Sequence, residues 1–101
     1  METDILLSVV ISPEVEDAIV DWLLQQEQIS GFTSLQVSGH GASPHSMSVS
    51  EQVAGRRRQV MFQTHLSEVD SVAVIKGLEE NFSGSGMHYW STPVLTSGHL
   101  D

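Results

Sequence analysis

The chain has 101 residues, 40% of them hydrophobic, which is enough for one ordinary core in a single domain. Its net charge of −9 excludes general nucleic-acid binding, which needs a broad basic face, and electrostatic docking on an anionic membrane. With no cysteine, disulfides, thiolate metal sites and cysteine catalysis are excluded too. The acidic N-terminus METDILLSVVISPE lacks the basic n-region of a signal peptide. No apolar run approaches the roughly 18–20 residues a membrane span requires. The expectation is a soluble cytoplasmic protein without direct membrane insertion.

Ile5 to Ile11 reads as the first strand. Ile5, Leu7, Val9 and Ile11 make one apolar face, and Leu6 and Val10 make the other partly apolar, as in a central strand. Ser12-Pro13-Glu14 is a helix start, with Ser12 as N-cap and Pro13 at the first helical position. Val15, Ala18, Ile19, Trp22 and Leu23 recur at helical spacing, and the helix is expected to end near Gln26. Gly31 opens a second strand in which Thr33, Leu35 and Val37 alternate with Ser34, Gln36 and Ser38.

Gly39 to Arg58, GHGASPHSMSVSEQVAGRRR, then interrupts the strand signal. Hairpin loops take about 2–5 residues, and longer ones are usually functional or disordered. This stretch holds three of the four cations, Arg56, Arg57 and Arg58, and two of the five histidines, His40 and His45.

Strand signal resumes near Gln59, with Val60, Phe62, Thr64 and Leu66 on one face and Met61, Gln63 and His65 on the other. Ser67 to Asp70 resembles a capping box. Val72, Ile75, Leu78 and Phe82 give the second helix its stripe, and Gly84 and Gly86 punctuate its end. Met87 to Leu95 is the last strand, where Pro93 marks an edge or an end. The tail, Thr96 to Asp101, has little core material and is expected to be mobile in a lone monomer.

The order strand, helix, strand, strand, helix, strand is that of an α+β, ferredoxin-like βαββαβ fold with a four-stranded antiparallel sheet. Helices would cover one face. The other would carry Leu6, Ser8, Val10, Ser34, Gln36, Met61, Gln63 and His65, too apolar for plain solvent and too polar for a core. A subunit interface explains that mixture.

The run Gly31-Phe32-Thr33, then Gly39-His40-Gly41, Glu51 to Arg58, His88-Tyr89-Trp90 and Pro93-Val94 resembles the nitrogen regulatory PII-like proteins, with CutA as a structural cousin. It is similar to a proteobacterial subgroup associated with heavy-metal efflux. The resemblance implies a homotrimer whose open sheet faces line the centre and whose long loop docks onto a membrane transporter or enzyme. It also implies adenine nucleotides in the clefts between subunits, with Gly39 and Gly41 where the backbone turns toward the phosphates. The chain departs from the family where a glycine-rich segment should carry a lysine: NFSGSGMH, Asn81 to His88, has no cation. The basic residues after the last strand are missing too, since TSGHLD offers only His99. Classical ATP binding therefore does not follow from the resemblance.

The ligand-binding candidates in an intersubunit cleft are Gly39, Gly41, Arg56 and Arg58. Guanidinium groups clamp phosphate or carboxylate through paired hydrogen bonds, although a solvated strand entrance with surface acids gives the same triplet. His40 and His45, near Met47 and Glu51, are candidate ligands for a divalent metal. A Ser-rich solvated loop is the alternative, because H-x4-H is not a strong metal spacing. No spacing indicates a catalytic group. The expectation is a non-enzymatic regulatory protein that signals through Ala42 to Val53 to a partner, with a heavy-metal efflux system as the candidate. The alternative is a CutA-like protein that binds or buffers divalent metal without sensing nucleotide.

Overall fold

The structure is a computed structural model that describes residues 3–41 and 56–101. Strand β1, Asp4–Ile11, leads into a 3₁₀ turn at Pro13–Val15 and helix α1, Glu16–Leu24. Then come β2, Thr33–Gly39; β3, Arg57–Ser67; helix α2, Glu68–Phe82; and β4, His88–Pro93. The antiparallel sheet runs in the order β2-β3-β1-β4, the ferredoxin-like arrangement. β1 is central, as its two apolar faces indicate.

The core lies between the sheet and the helices. Ile5, Leu7, Val9 and Ile11 of β1 join Val60, Phe62 and Leu66 of β3, beneath Ile19 and Leu23 of α1 and Val74 and Leu78 of α2. Thr64, in the same face of β3, is buried because its hydroxyl donates to the Gly31 carbonyl at 2.8 Å. Phe32 meets Phe62 edge-on, with centroids 5.8 Å apart. These contacts tie the start of β2 down to the core.

Besides element bounds, with β3 already beginning at Arg57 and β4 spanning His88–Pro93, local details differ from the sequence reading in three places. Ser12 does not cap a helix through its side chain. Its hydroxyl donates to Glu14 at 2.9 Å, the Val15 amide bonds to the Ser12 carbonyl, and the α-helix begins only at Glu16. On α2 the buried positions are Ser71, Val74 and Leu78, spaced i, i+3, i+7, while Val72 is 65% exposed. Ser71 is tolerated inside because its hydroxyl donates to the Glu68 carbonyl at 2.7 Å. The Ser67 cap is as expected: its hydroxyl accepts the Asp70 amide at 3.1 Å.

The third difference concerns β2. Its register sets Leu35 opposite Met61, Val37 opposite Gln59 and Thr33 opposite Gln63. Directly paired residues share a face, so Thr33, Leu35 and Val37 lie on the open face. Ser34 and Gln36, opposite Phe62 and Val60, lie on the helix side. The alternation was legible, but its phase was inverted. Along the same open face, β1 contributes Leu6, Ser8 and Val10 and β4 contributes Thr92, Trp90 and His88. That face is therefore more apolar than the sequence reading implied. Within it Ser8 is 1% exposed and its hydroxyl accepts from Gln63 at 3.2 Å. His65 pairs with the Asp4 carboxylate at 3.1 Å.

Candidate functional site

The two strands that carry the long connection meet at its base. Gly39, the last residue of β2, pairs with Arg57, the first of β3, and Ser38 pairs with Arg58. Alternation therefore sends Arg57 to the open face and Arg58 to the helix side. Arg56 precedes the strand and is exposed. A β-carbon at Gly39 would collide with the Gln59 side chain, which lies across the glycine. A larger residue here would require the flexible Gln59 side chain to move aside. Gly41 has open space around its Cα, so nothing steric requires glycine there.

Around this base lies an open cleft of about 710 Å³. Its walls include all three arginines, Gln36 and Ser38 from β2, and Ser12, Glu14 and Glu16 from the 3₁₀ turn and the start of α1. The cleft lies where the end of the β2–β3 ladder meets the 3₁₀ turn and Glu16, the first residue of α1. Hydroxyl, amide and guanidinium groups together make a donor-rich wall suited to an oxyanion. Glu14 and Glu16 limit how much negative charge that wall tolerates. Sequence reasoning found Arg56 and Arg58 but missed Gln36 and Ser38, because the inverted phase of β2 placed them on the other face.

Among the expected site residues, Arg56 and Arg58 line this cleft, while Gly39 ends β2 opposite Arg57. His40 and Gly41 stand exposed just beyond β2. His45, Met47 and Glu51 lie outside the described residues, as does the expected partner-contact segment, Ala42 to Val53. Among the described residues no group of three or more histidine, aspartate or glutamate side chains is placed to hold a metal. No helix among them is long and apolar enough to cross a membrane.

The glycine-rich segment after α2 is a second, smaller concavity. Gly84 and Gly86 adopt φ of 84° and 78°, the left-handed conformation that glycine takes without strain. The pocket beside them, about 390 Å³, is lined by Leu78, Phe82 and Met87 with Glu79 and Tyr89 at its rim. The Tyr89 hydroxyl donates to a Glu79 carboxylate oxygen at 3.1 Å, and that bond, with the carboxylate's charge, raises the phenol above its ordinary value of 10.0. No cation lines the pocket. The Glu79 carboxylate disfavours a phosphate group within this pocket.

The fold recurs in proteins of known structure. The crystal structure of a DUF3240 family protein from Shewanella baltica OS155 is 24% identical and covers 100% of both chains, with a TM-score of 0.81. CPII, a nitrogen regulatory PII-like protein from Thiomonas intermedia K12 bound to ADP, AMP and bicarbonate, has a TM-score of 0.70 at 15% identity, over 99% of this chain and 100% of that one. A protein from Thermus thermophilus, provisionally described as PII-like and signalling, has a TM-score of 0.65 at 16% identity over 92% and 88% of the two chains. At such identities the likeness establishes a PII-like fold. Among curated protein sequences none matches. Residues 1–101 match the family model described as "Protein of unknown function (DUF3240)", and the chain belongs to that family.

Proposed function

We propose that the protein is a non-enzymatic, PII-like sensor that works as a homotrimer. A small anionic ligand binds in the cleft lined by Arg56 and Arg58, toward the backbone at Gly39 and Gly41, and the connection between β2 and β3 reports its presence to a partner. The observation that carries this reading is the pairing of Gly39 with Arg57 and Ser38 with Arg58, which joins both ends of the connection to one arginine-lined cleft. A ligand held there contacts both ends at once. It therefore shifts the connection toward whichever of its states binds the ligand more tightly, by the difference in affinity. CPII, of the same fold, carries ADP, AMP and bicarbonate, and a donor-rich wall suits the charge those ligands share.

The open sheet face supports the trimer. It places Leu6, Val10, Leu35, Val37, Met61 and Trp90 in one surface, with Leu35 40% and Trp90 39% exposed in the single chain. A domain of this size gains from the added burial. The partner is expected to be a membrane transporter, with heavy-metal efflux the setting that the family resemblance points to.

Titration calorimetry of the full chain with ADP, AMP, bicarbonate, copper, zinc and nickel tests the reading. Anion binding that disappears in the Arg56→Ala/Arg58→Ala variant supports it. Metal binding that disappears in the His40→Ala/His45→Ala variant, with no response to any anion, would replace it with a metal-buffering role.

A further inference from the structure

The pocket beside the glycine turn is chemically opposite to the arginine cleft, and it does not depend on the reading given to that cleft. Its floor is apolar, from Leu78, Phe82 and Met87, and its rim carries the Glu79 carboxylate and the Tyr89 phenol. It also sits at the C-terminal end of α2, a helix of 15 residues with no basic residue in its last turn. The carbonyl end of a helix carries partial negative charge and favours cations. Phe82 and Tyr89 add aromatic rings to the lining, a chemistry compatible with a cation. Carboxylate and helix end both favour positive charge, and no cationic side chain in the lining opposes it.

We infer that this pocket binds a small organic cation, an ammonium group carried on an apolar or aromatic body. The body fills the floor between Phe82 and Met87. The ammonium donates to the Glu79 oxygen that Tyr89 leaves unused. At about 390 Å³ the space suits a small ligand of roughly ten heavy atoms. The glycine turn shapes the mouth of the pocket and does not cradle phosphate.

The test is a ¹H–¹⁵N NMR titration of the full chain with phenethylamine, with 3-phenylpropionate as the matched anion and ADP as the phosphate probe. The expected result is that phenethylamine shifts the amides of Gly84, Gly86 and Tyr89, and that the other two probes leave them unmoved. Glu79→Gln weakens the amine by about three- to tenfold, the range for losing one charge-assisted hydrogen bond near solvent. Tyr89→Phe, which keeps the ring and frees the second carboxylate oxygen, retains binding. Glu79 is exposed, so its substitution leaves the fold intact. Four results would each overturn the assignment: equal binding of amine and anion, ADP shifting the glycine amides, indifference to Glu79→Gln, or shifts that map elsewhere.

Discussion

Gly77 sits in the middle of α2, where alanine is ordinarily the better residue by about 0.5–1 kcal/mol. At this position the opposite outcome is expected. A β-carbon there would come within 2.5 Å of Trp22 Cζ2 and 2.9 Å of its Cη2, well inside van der Waals contact. Trp22 is half-buried and its ring packs edge-on against Phe82, centroids 5.9 Å apart and planes at 86°, so the indole has little room to withdraw. Overpacking of that kind costs about 1–3 kcal/mol. The cost exceeds the propensity gain, and Gly77→Ala should lose about 1 kcal/mol, or roughly 4–8 °C in Tm for a domain of this length. The assay is urea unfolding followed by circular dichroism at one fixed protein concentration, because assembly shifts apparent stability. Trp22→Phe removes the clashing ring, and in that background Gly77→Ala should stabilise by about 0.5–1 kcal/mol. A stabilising Gly77→Ala in the native background, or the same effect in both, would refute this account of how α2 seats on α1. The same seating sets Glu79 and Phe82 beside the glycine turn.

Other expectations follow from single contacts. Tyr89 is the chain's one tyrosine, so absorbance near 295 nm reports a single phenol. Its midpoint should lie above 10.0 and fall toward that value in Glu79→Gln. The neutral phenol is the favoured form, so its contribution to stability is complete below the ordinary tyrosine value and is lost as pH rises through the raised one. A native midpoint at or below 10.0 contradicts the bond. Ser67→Ala removes the acceptor for the Asp70 amide and should cost about 1 kcal/mol in thermal or urea unfolding; no measurable loss would show that α2 does not rely on its cap. Leu35→Asp places a charge on the open face opposite Met61, and sedimentation velocity should show loss of the assembly with the protomer still folded. An unchanged sedimentation coefficient would move the interface elsewhere.

How much of this was legible from sequence depended on how local the cause was. β1 announced its central position because both of its faces carry apolar side chains, and Ser67 announced α2 because capping is settled within four residues. The turn after α2 was legible from Gly84 and Gly86, whose positive φ angles only glycine adopts freely. β2 was harder. Strict alternation fixes which residues share a face but not which face meets the helices, and at a sheet edge only the pairing with β3 decides that. The same inversion hid Gln36 and Ser38 from the cleft. Val72 was placed in the helix stripe because it is apolar, and Ser71 was left out because it is polar, yet the backbone carbonyl of Glu68 satisfies Ser71 and the geometry of α2 turns Val72 outward. The pocket beside Tyr89 was invisible because Glu79 and Tyr89 meet only when α2 packs over β4.

The most direct test of a trimeric anion sensor is native mass spectrometry of the full chain with and without ADP, AMP and bicarbonate, in wild-type and Arg56→Ala/Arg58→Ala forms. The account predicts a trimer in both forms, with anion adducts on the wild type that the double substitution abolishes. A monomer, or adducts that survive the loss of both arginines, would contradict it.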